Sequence, residues 1–457
     1  MESPRGPSLL ASRITGAIGA REFSDWKHTR IILIAEAFFG GFYVTVTRSL
    51  FIVMLSYNNF TLSEISTIVL FSAMTGVSLS YALYNRPNLI SGRMKPKLLG
   101  LHFAERIFWM SLPLMIWNWR LTSLAYAAAV CVAVVVGTLL NSTIMAILDK
   151  NRAKYIFSRR SAMSSAAALL AGIFMSAVLA VFPSMNGYYM AYLSAGFIGL
   201  TSTALLIFLK IPRVQIPKEP RLKLDTEAET TTTFLFLSIM FVGGGLIGIA
   251  WIPYLKYLGA PSYLAALLSF FGSLGGILGS YLLTTYGRHR MAVVMNTAVT
   301  FLVPFIVVPQ FHLALSFLMS ASFVGANLMA LSIYSSYVKE LGASRASVMI
   351  SAATLVGTAV ASLMGMLLKS PFLLLILAGM FKAVAALLVI TAIPETTLLP
   401  KPVALGYARL IRSVSVFSYT LMTETSKQAI MLLIRVVAMA LMVMLVYLIY
   451  KLAFLLC

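Results

Sequence analysis

Two acids, Glu36 and Glu105, stand inside long apolar stretches of this chain. A carboxylate in hydrocarbon costs several kcal/mol unless it faces a cavity or a partner, so each marks a candidate site. Glu36 lies about 9 Å beyond Arg30 at 1.5 Å per helical residue. Gly40, Tyr43 and Thr47 fall on its face of a helix. Desolvation there favours the neutral carboxyl, which can take up a proton on one side of a barrier and release it on the other. Glu36 is therefore the candidate proton or cation site; the plainer reading is a structural salt bridge. Arg48 points about 120° away around the helix. It is no intrahelical partner for Glu36 and is expected at the outer interface, or facing an anionic group.

The remaining polar residues in apolar stretches divide into clusters and rows. His102, Glu105 and Arg106 adjoin one another and read as a structural network. Lys382 and Arg435 are both basic and cannot neutralise each other. Thr138, Asn141 and Ser142 form one polar row, Ser316, Ser320, Asn327 and Tyr334 a second, and Ser347, Ser351, Thr354 and Thr358 a third. Small hydroxyls also serve helix packing, which suffices for most of them individually. Asp149 with Arg160, and Glu340 with Arg345, each put an acid at one helix end and an arginine near the start of the next. Ion pairs there could latch one side of a pathway shut; left solvated, such pairs contribute about 0–1 kcal/mol.

Several chemistries are missing. No G-x-x-x-x-G-K-[ST] loop supplies a nucleotide-driven pump motif. No HExxH, CxxC or carboxylate cluster points to an intramembrane enzyme. No cofactor, metal site or catalytic group is expected. The two cysteines, Cys131 and Cys457, cannot build a disulfide framework.

The elements that must hold these residues follow from composition. Of 457 residues, 60% are hydrophobic and 11% charged, too much apolar surface for a soluble protein of this size. Apolar stretches of spanning length recur, six before and six after a polar linker at 210–233, whose prolines and alternating charges suit a solvated strap. The third and ninth stretches are placed at 98–117 and 291–309. The expected organisation is a basic segment at 1–30, a six-helix bundle at 31–209, the linker, a second bundle at 234–394, an amphipathic segment at 395–427 and an additional spanning helix within 428–457. In the amphipathic segment Leu410, Ile411, Val414, Phe417 and Leu421 share a face from which Arg409, Arg412 and Ser413 are turned away.

The net charge of +21 comes from bases placed in alternate loops. Between the other loops only Arg120, Lys256, Lys369 and Lys451 intervene, which is the positive-inside signature with the N-terminus and linker cytoplasmic. No basic cluster is joined to aromatic platforms, so nucleic-acid binding is excluded and the lipid bilayer is the expected surroundings.

The two halves share letters. Arg160, Ala167, Leu170 and Gly172 align with Arg345, Ala352, Leu355 and Gly357, and Phe38, Gly40 and Gly41 with Phe241, Gly243 and Gly244. A turn between the eighth and ninth stretches reads Gly287-Arg288-His289-Arg290, with Thr284, Ser280 and Gly279 before it. Twelve spans in two halves, a central basic loop and this half-motif resemble the major facilitator superfamily over roughly 30–393. The motif's acid position is held by Thr284, and Tyr84-Asn85-Arg86-Pro87 barely matches in the first half. The resemblance implies an all-α polytopic protein of two pseudo-symmetric bundles. Its function would be secondary transport of a small-molecule substrate by alternating access across the cell membrane, with protons as the candidate coupling ion. It places Glu36, Tyr43, Thr47, Arg48, Asn141 and Asn327 on the pathway, and Asp149, Arg160, Gly287, Arg288, Arg290, Glu340 and Arg345 at a cytoplasmic gate. The alternative is a non-transporting protein on the same fold, acting as a sensor or assembly partner.

Overall fold

Where no water is present, each backbone N–H and C=O must be satisfied within its own segment, and helices do this. The computed structural model describes residues 9–86, 89–90, 93–182, 184–211, 224–285, 289–393 and 396–415, with side chains described except at 9–25, 150, 224, 283–285 and 339–340. Every regular element among these residues is helical. In the first half α1 (Leu9–Val44) passes through a π-helical turn (Thr45–Ser49) into α2 (Leu50–Tyr57). Then come α3 (Leu62–Asn85), α4 (Met94–Ser111), α5 (Trp119–Ile147), α6 (Lys150–Val181) and α7 (Met185–Ile207). The second half holds α8 (Leu224–Tyr257), α9 (Ser262–Thr285), α10 (His289–Leu302), α11 (Phe311–Ser336), the single turn α12 (Val338–Leu341), α13 (Ala343–Leu368) and α14 (Pro371–Thr391). A further helix, α15, covers 401–415.

Among the described residues ten spans are long and apolar enough to cross a membrane. α4 and α10 are shorter than the sequence leads one to expect. Each gives way to a 3-10 turn carrying a proline, Pro113 in Leu112–Met115 and Pro304 in Val303–Phe305. Proline has no N–H to donate and its ring clashes with the preceding turn, so the α-helix stops there.

Packing repeats between the halves. α1 packs on α6 and α7, as α8 packs on α13 and α14; α3 packs on α5 and α4 on α7, as α9 packs on α11 and α10 on α14. Across the seam α6 meets α9 and α13 meets α3. Every one of these contacts has its counterpart in the other half. The seam is tight where glycine permits. A Cβ on Gly172 would lie 2.8 Å from the Phe270 backbone, and one on Gly365 2.5 Å from Ser66 Oγ.

The linker is shorter than the sequence indicates, because α8 already begins at Leu224. Asp225 and Glu227 in its first turn favour the positive end of the helix dipole. The threonine run returns its hydroxyls to the helix: Thr230, Thr232 and Thr233 donate to the carbonyls of Glu227, Ala228 and Glu229. α15 is pinned to this turn by Arg409 to Asp225 at 2.8 Å and Arg412 to Glu227 at 2.7 Å. Its Ala404 and Ala408 are buried while Val403, Tyr407, Leu410 and Val414 are exposed, an apolar stripe at helical spacing. The expected additional span within 428–457 lies outside the described residues.

Candidate solute pathway

α1 carries the site, and its π turn sets the geometry. A π turn takes more residues per revolution than an α turn, so positions after Val44 lag behind α register. Glu36, Gly40, Val44 and Arg48, a four-residue row that would otherwise drift around the helix, line one cavity of about 330 Å³. Of the two surroundings expected for Arg48, the structure gives the anionic group rather than the outer interface: its Nη2 donates to Glu105 Oε1 at 3.0 Å, and its guanidinium lies 5.5 Å from the Trp109 ring centroid.

The cluster is continuous. Arg160 of α6 donates through one nitrogen to Glu36 and to the Leu33 carbonyl. His102 Nε2 lies 3.6 Å from Glu36 Oε1, and His102 Nδ1 bonds Thr203 at 2.8 Å. Arg106 donates to Glu105 at 2.5 Å and to Ser202 at 3.1 Å, lies 3.1 Å from His102 Nε2, and stacks over Tyr43 at 4.5 Å. Tyr43 donates to the Glu105 carbonyl, and Tyr192 to the Thr47 carbonyl. Glu36, His102, Glu105 and Arg106 are buried. Such a network holds buried charge only because nearly every member is paired; the Arg106 Nε has no partner.

Gly40 makes the close approach possible. A Cβ there would lie 3.2 Å from Glu36 Oε1 and 4.0 Å from Arg106 Nη2. Its aligned counterpart Gly243 faces Lys382, where a Cβ would come within 2.6 Å of Cγ. A buried base thus sits beside the glycine in both halves. Lys382 is 1% exposed and has no carboxylate partner among the described residues.

A second cavity, of about 380 Å³, adjoins the first along the same two helices. Thr45 and Ser49 of the π turn and Ser165 of α6 line it, next in sequence to Val44, Arg48 and Ser164 of the charged cavity. Trp251 of α8, Ser269 and Ser273 of α9 and Ser316 and Ser320 of α11 complete it, so it spans the seam and is lined by hydroxyls rather than charge. A vestibule of about 570 Å³ lies between the first turns of α6, His289 of α10 and the ends of α9 and α11. At the far end the halves are joined by Lys256 to the Ser56 carbonyl at 2.8 Å and Tyr57 to the Ala260 carbonyl at 2.7 Å.

Of the other sequence-predicted residues, Thr47 is buried and returns its hydroxyl to the Tyr43 carbonyl. Asn141 and Asn327 are half-buried, and neither belongs to the lining of the charged cavity. Asp149 does not meet Arg160: it caps α6 through the amides of Asn151 and Arg152 and lies 3.4 Å from Arg152 Nε. Arg345 lies 5.8 Å from the ring centroid of Tyr84 on α3, and Arg290 is exposed. Gly287 and Arg288 lie outside the described residues, as does the Glu340 side chain. The Thr138 and Ser347 rows meet across the seam, Ser347 donating to the Thr138 carbonyl at 3.0 Å, and so serve packing. Sequence reasoning set His102, Glu105 and Arg106 apart from Glu36. Their spacing on one helix face was visible; that this face meets α1 was not.

No family model matches the sequence, and no curated protein does. Solved structures do match. The E. coli fucose:proton symporter FucP aligns at 14% identity with a TM-score of 0.53, covering 79% of this chain and 98% of its own. FucP as a major facilitator superfamily transporter in the outward conformation gives 14% and 0.54, over 80% and 98%. A bacterial homologue of the iron transporter ferroportin, outward-facing with soaked iron, gives 13% and 0.56, over 79% and 98%. These likenesses, with the recurring helix contacts, establish that the chain has the two-bundle major-facilitator fold.

Proposed function

We propose that this protein is a secondary transporter, moving a small solute by rocking its two six-helix halves around the central cavities. It is not read as an enzyme. The observation that carries the reading is a pair of adjoining cavities that share the π turn and α6, a charged one enclosed by first-half helices and a hydroxyl-lined one that spans the seam between the halves. A non-transporting sensor or assembly partner has no need of polar space there. In this reading the far-end contacts of Ser56 and Tyr57 with Lys256 and Ala260 close one side, and the vestibule is the other entrance. By the positive-inside rule the vestibule, N-terminus and linker face the cytoplasm of a cell-membrane protein. Asp149, Gly287, Arg288, Arg290, Glu340 and Arg345 then belong to the cytoplasmic side.

Proton coupling runs through Glu36 in this scheme. With the carboxylate ionised, Arg160 ties α6 to α1. A proton on Glu36 removes the charge that holds Arg160 and frees the two helices to shift. The test is reconstitution into liposomes with a pH gradient and a panel of labelled solutes. Accumulation that needs the protein, and that stops when Tyr57→Cys and Ala260→Cys are joined by a short thiol crosslinker, supports alternating access. Uptake that survives the crosslink sinks it.

A further inference from the structure

We propose that the charged cavity binds the anionic group of a small organic anion, with Arg48 and Arg160 as its donors. The proposal rests on the transport reading of the same site and names its substrate class. Three guanidiniums, of Arg48, Arg106 and Arg160, line the cavity against two carboxylates, of Glu36 and Glu105. The lining therefore carries an excess positive charge when His102 is neutral. Arg106 is committed to Glu105, His102, Ser202 and the Tyr43 ring. The other two are each held by a single carboxylate, Arg48 by Glu105 and Arg160 by Glu36. Arg48 makes one hydrogen bond, through Nη2, and its side chain is 44% exposed. Arg160 makes both of its hydrogen bonds through Nη1 and is 16% exposed.

A guanidinium has five donors in a planar fork suited to a carboxylate or phosphate, and most of these remain unspent on both arginines. A neutral solute would leave this excess charge uncompensated, and a cation would be repelled by it. Besides Ser161 and Ser164, the rest of the lining is mostly apolar, with Ala37, Val44, Ala133, Val136, Leu140 and Phe157, which suits a carbon body rather than a bare inorganic ion. A volume of about 330 Å³ holds roughly ten water-sized groups, the scale of a short carboxylic acid. The adjoining serines and threonines accept hydroxyls or a second polar end.

The test uses the full chain in detergent, with thermal unfolding followed by tryptophan fluorescence during titration with lactate, succinate and citrate. Glucose and choline serve as neutral and cationic probes, with chloride held constant. At least one carboxylate should raise the melting temperature saturably while glucose and choline leave it unchanged. Arg48→Gln should weaken that carboxylate by about tenfold to a hundredfold, the loss of a charge-assisted hydrogen-bond pair. Arg409→Gln on α15 should not, although it removes the same charge from the protein. Equal weakening by both variants assigns the shift to surface charge and overturns the proposal, as does saturable stabilisation by glucose or choline alone, or no carboxylate-dependent shift at all. Liposome counterflow separates the two readings. Uptake of a neutral or cationic solute ends the anion assignment and leaves transport standing. Carboxylate binding lost in Arg48→Gln, without counterflow, keeps the assignment and ends the transport reading.

Discussion

The ion pair between Glu36 and Arg160 can be weighed by a double-mutant cycle. Both partners lie inside the bundle, with side chains 4% and 16% exposed. Removing one member of a buried pair strands the other charge, at a cost of about 3–5 kcal/mol. Glu36→Gln keeps an oxygen that can accept from Arg160, and Arg160 retains the Leu33 carbonyl, so its cost should be lower, about 2–4 kcal/mol. Arg160→Gln leaves Glu36 with only His102, 3.6 Å away, and should cost the full amount. The double variant strands no charge and should lie within about 1–2 kcal/mol of the parent, because a neutral replacement of a buried pair is often nearly neutral. The coupling energy, the two single costs together less that of the double variant, should then be roughly 3–8 kcal/mol. Equilibrium unfolding in mixed micelles reads it. Single-variant costs that add within about 0.5 kcal/mol would mean the pair is not made in the membrane, and the coupling scheme would fall with it. In liposomes Glu36→Gln should abolish uptake driven by a pH gradient while sparing solute exchange, which moves no net proton. Unchanged gradient-driven uptake would remove Glu36 from coupling; loss of both would make it a substrate ligand or a fold determinant.

Gly279→Ala and Gly275→Ala should each cost about 1–3 kcal/mol, because the new Cβ would meet the Ala321 or Phe317 carbonyl at 2.0 and 1.9 Å; a melting temperature equal to the parent's would refute the close packing of α9 on α11. Asp225→Asn with Glu227→Gln should change global stability by less than about 1 kcal/mol per pair, as half-exposed ion pairs do, while making α15 more accessible to protease; unchanged cleavage would show that the two arginines do not hold it. Phe60→Cys should react with an impermeant thiol reagent from outside, and Pro220→Cys only after permeabilisation. The reverse would invert the topology.

The sequence by itself determined the class of the molecule. A 60% hydrophobic chain with spanning stretches and alternating basic loops has few options but a bundle of membrane helices, because the backbone must satisfy itself locally. Helix existence followed from that local rule; three of the ends, those of α4 and α10 and the start of α8, did not. The threonine run after Leu224 reads as linker by composition, yet it closes i−4 hydrogen bonds and joins α8. Glu36 was identified because an acid in hydrocarbon needs a reason. Its reason was not legible: Arg160 is more than a hundred residues away, and its sequence neighbour in charge, Asp149, spends itself capping α6. For Arg48 the sequence left an outer interface or an anionic group open; straight α periodicity turned it away from Glu36, and the π turn brings it back towards that side, where it meets Glu105. Sequence periodicity describes one helix at a time. Which charged faces meet, and whether they enclose a cavity, is decided by how α1, α4 and α6 pack, since pairing and close contact are properties of two surfaces and not of either strip of letters.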